Sequence, residues 1–280
     1  MTPRTYRWLG LLLLSVLIAP GAIAAPEQPR QETRGALRLT AAATLAPLAA
    51  ELLESVRKNG GNIALAVAGS EVALEQLGAG HVDVALISRP LSEQEARRFE
   101  SRTIGHDSLL LVVHERNPLA KIDEAQVRAI FSRQLTDWSQ IGAGNSGAIV
   151  PVTRGQSNGT RRVLDHAFGI GRIVPAGIVE LNSNLATVLY VAADPQAIGY
   201  VSAGAYQHGR QRGLGIKALP LGGITPSAQF CVDSHYPLCR PLLLLKRRQA
   251  PATRDLALLE SALDRELVER HGFAPPAPPR

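Results

Sequence analysis

Aromatic residues are scarce in this sequence, and its basic residues are not gathered into a stripe. Only 4% of the 280 residues are aromatic, and the 30 lysines and arginines alternate with 24 acidic residues along almost the whole chain. Proteins that bind nucleic acid present a continuous basic surface, and those that bind single strands add aromatic rings for stacking. The formal net charge of +6 therefore does not indicate nucleic acid, and the shortage of rings also argues against polysaccharide.

Long apolar runs are absent after the N-terminal segment, so no later segment is long enough to span a bilayer. At the N-terminus, Arg4 and Arg7 precede the apolar run Leu9–Ile18, and Ala22-Ile23-Ala24 follows it. This order is typical of a secretory signal peptide with a small-x-small cleavage site. We predict a cleaved signal peptide over residues 1–24 and a soluble periplasmic protein; an uncleaved anchor is the alternative.

Cysteine is almost absent, since Cys231 and Cys239 are the only two in the sequence. In an oxidising compartment, two cysteines this close predict one disulfide that closes a short loop. The seven residues between them do not fit a C-x2-C metal pair, and the seven histidines show no spacing typical of metal ligands. We therefore expect no metal site, and we expect the disulfide to serve stability alone.

Short apolar runs of strand type alternate with amphipathic runs of helix type from Leu37 onwards, which predicts an α/β fold with much parallel sheet. The Asn117-Pro118 turn follows a predicted strand at Ser108–His114, and we interpret it as a crossing point between two lobes. One long helix is predicted over Arg254–Arg270. The predicted organisation is a signal peptide (1–24), a flexible lead-in (25–35), lobe I (36–115 and 206–273), lobe II (116–205) and a proline-rich tail (274–280).

Three strand-to-helix corners carry hydroxyl residues, and such corners bind anions because the first backbone N–H groups of a helix are unpaired. A hydroxyl there either donates to an oxyanion or simply caps its helix. Arg154 stands at a strand end four residues before Asn158, where a guanidinium can bind a tetrahedral anion through two hydrogen bonds. A surface ion pair is the alternative for this arginine. The corners are Ala43-Thr44-Leu45, Gly69-Ser70-Glu71 and Ser157-Asn158-Gly159-Thr160.

These corners and further short motifs, in the same order, resemble the periplasmic phosphate-binding proteins of phosphate ABC transporters. The resemblance covers nearly all of the chain after the predicted signal peptide. Each motif is short, but seven in family order are specific. Besides the first two corners, the motifs are Val82–Leu91 (VDVALISRPL), Ile130–Ser132 with Thr136–Trp138, Arg154 with Asn158–Arg161, Ala197–Val201 (AIGYV) and Tyr236–Leu242 (YPLCRPL).

The resemblance implies a two-lobed type II periplasmic binding protein fold with mixed sheets, in which hinge strands join the lobes and an anion is held between them. It implies no cofactor and no reaction, a monomer, and an inner-membrane ABC permease as the partner. Carried over by position, the anion-binding residues are Thr44, Leu45 through its backbone, Ser70 and Ser88 in lobe I, and Arg154, Asn158, Gly159 and Thr160 in lobe II, with Arg154 as the main counter-charge.

Ser88 departs from the family pattern, because well-known phosphate binders have an aspartate at that position. A carboxylate accepts the proton of hydrogen phosphate and repels fully ionised sulfate, whereas a neutral hydroxyl provides no such selection. We therefore expect poor discrimination between phosphate and sulfate. Asn158 is a smaller departure, since the family usually has serine there. Glu71 adds negative potential at the second corner, and we interpret Arg89 as an ion-pair partner for nearby acids.

Two other functions remain open. Gly155–Gly159 (GQSNG) matches the G-x-S-x-G nucleophile elbow, which would make Ser157 the nucleophile of a secreted serine hydrolase. The acid would be Asp165, Asp194 or Asp233 and the base His208, His235 or His271, which follow in the required order, but no HGGG-type oxyanion segment precedes the elbow. The binding-protein fold could also act in phosphate sensing or as an envelope factor without transport, because a fold does not fix a function.

Overall fold

The computed structural model describes residues 35–142, 147–156, 158–171, 173–224, 231 and 236–276. The predicted signal peptide, nearly all of the predicted lead-in, the end of the predicted tail and Ser157 lie outside these residues. Within the described ranges, no helix combines the length and the apolar character that crossing a membrane requires.

Helices and strands alternate along the described chain in the predicted order, with one additional helix and several shifted ends. The first set is β1 (Leu37–Ala42), α1 (Ala46–Lys58), β2 (Ile63–Ala68), α2 (Ser70–Gly78), β3 (Val84–Ile87), α3 (Glu93–Arg98) and β4 (Phe99–His114). The second set is α4 (Glu124–Phe131), β5 (Val150–Thr153), α5 (Gly159–Phe168), β6 (Val179–Glu180), α6 (Asn184–Ala193), β7 (Ala197–Ser202), α7 (Ala203–Gln211), β8 (Ile216–Ala218), β9 (Cys239–Arg247), α8 (Arg254–Ala262) and α9 (Arg265–Arg270). Short 3-10 turns cover Ala43–Leu45 and Trp138–Ile141.

The strands form one mixed sheet in the order β2-β1-β3-β9-β4-β7-β5-β6, with β8 paired to β4. β1 is parallel to β2 and β3, and β5 is parallel to β6 and β7. Between these parallel groups, β4 and β9 run antiparallel from the pair Phe99 and Arg247 to the pair Ser108 and Cys239. The predicted α/β class with mixed pairing is therefore confirmed, and β4 and β9 connect the two groups.

Buried side chains form separate cores on the two sides of this connection. The cores that pack on β1–β3 include Ile104 and Leu242, and we call this part the first half. The cores that pack on β5 and β7 include Leu109 and Leu238, and we call this part the second half. The chain thus passes from the first half to the second within β4 and returns at the start of β9.

The packing revises the predicted lobe limits. The sequence placed the crossing at Asn117-Pro118 and the return at residue 206. In the structure, Ile216 and Leu219 pack in cores of the second half, because β8 pairs with the end of β4. The division into lobes stays a prediction. In its revised form, the chain passes to the second lobe within β4 and returns to the first lobe at about residue 239.

Two predicted elements differ in length for physical reasons. β4 begins at Phe99 rather than at Ser108, and the side chains of residues 100–103 are exposed, so this part of the strand lacks the apolar run that marks a buried one. The helix predicted over Arg254–Arg270 is divided, because the Asp264 side chain accepts the Leu267 N–H at 2.8 Å and starts a new helix.

Helix α7 was missed because Gly204 and Gly209 weaken the helical pattern in its sequence. These glycines serve close packing instead. A Cβ atom on Gly204 would lie 2.2 Å from the carbonyl oxygen of His271, so a side chain there would push α7 away from the end of α9. Tertiary contact thus stabilises a helix that its sequence alone does not favour.

Cys231 and Cys239 form the predicted disulfide, with their Cα atoms 5.2 Å apart. Cys239 begins β9 and pairs with Ser108 of β4, next to the pair formed by Asp107 and Arg240. The disulfide therefore fastens the segment before β9 to the strands that connect the halves.

Replacing both cysteines by serine should lower the free energy of unfolding by about 2–3 kcal/mol, because the bond closes a short loop in the unfolded chain. The two cysteines are eight positions apart in sequence. Chemical denaturation of parent and variant without reductant measures the difference, and thiol titration of the parent should find no free thiol. Equal unfolding free energies, or two titratable thiols in the unreduced parent, would contradict this expectation.

Candidate anion-binding site

Two of the three predicted corners meet directly. Gly159 begins α5 and Ser70 begins α2, and a Cβ atom on Gly159 would lie 2.8 Å from the Ser70 Oγ. Glycine permits this approach, because a larger residue would force the two corners apart. The backbone N–H of Ser88, just after β3, donates to the same Oγ at 3.3 Å. Ser70 and Ser88 are both buried, so three predicted site residues lie together where the halves meet.

Arg240, which the sequence analysis did not select, links the two threonines of the predicted site. Its Nη2 donates to the Thr44 Oγ1 at 3.1 Å, and its Nη1 donates to the Thr160 Oγ1 at 2.7 Å. Thr44 lies in the 3-10 turn of the first half, whereas Thr160 lies in the first turn of α5 in the second half. The first and third corners are therefore joined through one guanidinium, and all three corners converge.

Asp107 holds Arg240 in position. The Arg240 Nε and Nη2 donate to the Asp107 Oδ2 at 3.0 and 2.7 Å, and both side chains are completely buried. The backbone N–H of Ala203 donates to the Oδ1 at 3.2 Å. Burial raises the pKa of the Asp107 carboxyl because the charged form loses hydration, and the Arg240 guanidinium opposes that rise.

Arg154 follows β5 and is only 2% exposed, so it does not form the surface ion pair considered as its alternative. Among the described residues, the hydrogen-bond acceptors of its guanidinium are neutral oxygens. They are the carbonyls of Leu181 and Ser183, both at 2.9 Å, the Asn184 Oδ1 at 2.8 Å, the Thr187 Oγ1, and the Tyr200 carbonyl at 3.2 Å.

The charge of Arg154 thus has no carboxylate in hydrogen-bond contact within the described part of the chain. Burial lowers the pKa of Arg154 to about 10, the Arg240 charge acts in the same direction, and Tyr200 opposes both. The guanidinium is still protonated at neutral pH. A bound anion would supply the opposite charge that its surroundings lack.

Leu45 and Asn158 have evident structural roles. The Leu45 side chain is fully buried in the first-half core, which leaves only its backbone for a ligand. The Asn158 Oδ1 accepts the backbone N–H of Thr160 at 2.9 Å and so caps α5. Because this cap uses the backbone N–H of Thr160, only the hydroxyl of Thr160 is left to donate to an anion. The anion-binding roles of Leu45 and Asn158, like those of the other predicted site residues, stay predictions.

The negative charge expected at Glu71 is balanced by two arginines. The Arg89 Nε and Nη2 donate to the two Glu71 carboxylate oxygens at 2.7 and 3.0 Å, and Arg89 also donates to Glu95. Arg162 of the second half lies 2.7 Å from Glu71. Hydrogen bonds from Arg89 hold the pKa of Glu95 at about 2. Arg89 is therefore an ion-pair partner for nearby acids, as the sequence indicated.

A cavity of about 600 Å³ adjoins the site between the start of α1, the helices α6 and α7, and the end of α9. Thr44 and Asn184 both line it, and Asn184 contacts Arg154. Solvent therefore reaches the edge of the candidate site from this side. Across the described ranges, no three His, Cys, Asp or Glu side chains are grouped as metal ligands would be.

Sequence reasoning missed the pair Asp107 and Arg240. Arg240 lies inside the Tyr236–Leu242 motif, which carried the resemblance without a role for its arginine. Asp107 lies in the part of β4 that was not predicted, and no motif marks it. Only the pairing of β4 with β9 places these two side chains opposite each other.

The described side chains lend no support to the hydrolase alternative. The Arg161 Nε donates to both Asp165 oxygens, at 2.8 and 2.9 Å, and the Asp194 Oδ1 accepts the Gln196 N–H at 2.9 Å. Both acids are thus engaged in local structure. Ser157, Asp233 and His235 lie outside the described residues.

Comparison with known proteins gives consistent results. A model of the PBP superfamily domain matches residues 26–258 of this chain. Protein SphX of Synechococcus elongatus is 24% identical over 256 residues, which cover 84% of this chain and 76% of SphX. The phosphate-binding protein PstS of Staphylococcus aureus is 22% identical over 233 residues, 78% of this chain and 70% of PstS.

Among solved structures, an ABC-type phosphate transport receptor from Vibrio cholerae is similar with a TM-score of 0.73 and 26% identity. The match covers 86% of this chain and 100% of the receptor chain. The two-lobed binding-protein fold that the sequence motifs imply is therefore confirmed.

Proposed function

The chain belongs to the PBP superfamily, and we propose that it is an exported solute-binding protein that captures phosphate, or a related tetrahedral oxyanion, between two lobes. It would deliver this anion to an inner-membrane ABC permease and act as a monomer without a cofactor. The names of the similar proteins, a phosphate-binding protein and a phosphate transport receptor, support phosphate as the first ligand to test.

The observation that carries this proposal is the convergence of hydroxyl groups from both halves, together with a buried arginine, Arg154, that has no carboxylate in hydrogen-bond contact among the described residues. Thr44, Ser70 and Ser88 come from the first half, and Thr160 comes from the second. Hydroxyl and guanidinium donors suit the oxygens of a tetrahedral anion. Arg154 would supply the positive charge.

Calorimetric titration of the protein lacking residues 1–24 tests the proposed ligand. We expect saturable binding of phosphate, and of arsenate because it has the same shape and charge. Sulfate should bind as well, since Ser88 does not select against it. The absence of binding by all three anions would contradict the proposed function. An assay with a generic ester tests the hydrolase alternative, and phosphate uptake after loss of the gene separates transport from sensing.

Arg154→Ala should lower phosphate affinity at least about tenfold, which corresponds to about 1.4 kcal/mol, because the main counter-charge is lost. Arg128→Ala is a suitable control, since Arg128 also donates to a backbone carbonyl, that of Phe168, away from the candidate site. Titration of parent and both variants, with thermal unfolding to check the fold, provides the comparison. Parent-like affinity in Arg154→Ala would show that the site is assigned incorrectly.

Ser88→Asp should shift the preference from sulfate toward hydrogen phosphate, because the added carboxylate accepts the phosphate proton and repels sulfate. Ser88 is 2% exposed and its backbone N–H donates to the Ser70 Oγ, so the added carboxylate would be buried next to the second corner. Ser92→Asp is the matched control, since Ser92 caps α3 and aspartate caps equally well.

Dissociation constants for phosphate and sulfate, measured at one pH and one ionic strength, give the ratio for each protein. The parent should discriminate poorly. A parent that already prefers phosphate by more than about a thousandfold, roughly 4 kcal/mol, would show that another acceptor performs the selection.

A further inference from the structure

Arg240 is the side chain that joins most parts of the candidate site, although none of the predicted roles includes it. It lies on β9 directly opposite Asp107 of β4, where the chain passes between the halves. Its guanidinium makes two hydrogen bonds to that carboxylate and one to each of Thr44 and Thr160. The Arg240 side chain itself is completely buried.

A buried ion pair is weak evidence for stability, because the loss of hydration offsets much of its attraction. The hydrogen bonds to the two threonines indicate a more specific role. The planar guanidinium carries N–H donors in a fixed fork, so Asp107 on one side determines where the remaining donors point on the other. Those donors reach one hydroxyl from each half.

The contact with Arg240 restricts what each threonine hydroxyl can do. A hydroxyl oxygen that accepts an N–H from a cation directs its own hydrogen away from that cation, because the two hydrogens repel. The O–H is then available to donate to a neighbouring oxyanion. A threonine without this contact would rotate freely and could also accept, so ordering it would cost binding free energy.

We propose that Arg240, held by Asp107, is a positioning residue that fixes the hydroxyls of Thr44 and Thr160 as hydrogen-bond donors to the bound oxyanion, one from each half. This inference rests on the proposed function and deepens it.

A double-mutant cycle with phosphate as the probe tests the role of Arg240. Arg240→Gln alone leaves Asp107 as an unpaired buried charge, so the main background is the paired variant Asp107→Asn with Arg240→Gln, which leaves net charge unchanged and keeps similar side-chain volumes. We expect this background to bind phosphate at least about tenfold more weakly than the parent. Thr160→Val should weaken binding about tenfold in the parent but less than about threefold in the paired variant.

A second amide pair provides the matched control. Arg38 and Asp83 form an ion pair between β1 and the start of β3, and neither belongs to the candidate site. Arg38→Gln with Asp83→Asn should leave phosphate affinity unchanged. Thr160→Val should have its full effect in that background.

The outcomes distinguish failure of the proposed function from failure of the positioning role. A parent that binds none of phosphate, sulfate and arsenate overturns the proposed function and, with it, the role of Arg240. If the parent binds phosphate but Thr160→Val lowers phosphate affinity by the same factor in the parent and in both paired variants, only the positioning role is overturned. If the paired variant does not fold, Arg240→Lys with Asp107 intact replaces it, because an ammonium lacks the planar fork needed to hold both hydroxyls. Parent-like phosphate affinity of Arg240→Lys would also overturn the positioning role.

Discussion

The buried ion pair between Asp107 and Arg240 lies on the two strands that connect the halves of the molecule. The disulfide partner Cys239 stands next to it, and the hydroxyls of Thr44 and Thr160 are bonded to its guanidinium. The first and third corners therefore depend on the register between β4 and β9. A one-residue slip would turn Arg240 to the opposite face of the sheet and separate those corners.

The local parts of this architecture could be predicted from sequence because each rests on a local rule. Hydroxyl and glycine residues after apolar runs indicate helix beginnings, and the structure begins α2 at Ser70 and α5 at Gly159. Two nearby cysteines in a chain with a predicted signal peptide predict one disulfide, which the structure contains. These features need no knowledge of distant residues. That the three corners meet at one site was predicted from the family resemblance, because no single corner indicates it.

Long-range pairing could not be predicted in the same way. The first part of β4 exposes residues 100–103 and so reads as polar, yet it pairs with β9 along its whole length. Because that part of the strand was not predicted, the sequence placed Asp107 on no strand and gave Arg240 no partner. Helix α7 was missed for a related reason, since the close contact at Gly204 with the end of α9 involves residues far apart in sequence.

The distribution of carboxylates among the buried arginines explains why the site suits an anion. Arg89 is paired with Glu71 and Glu95, and Arg161 is paired with Asp165. Arg240 is paired with Asp107, whose single negative charge it balances. Arg154 is equally buried, but its described acceptors are neutral oxygens. Because uncompensated buried charge is costly, an oxyanion beside Arg154 would relieve a cost that the folded chain otherwise bears alone.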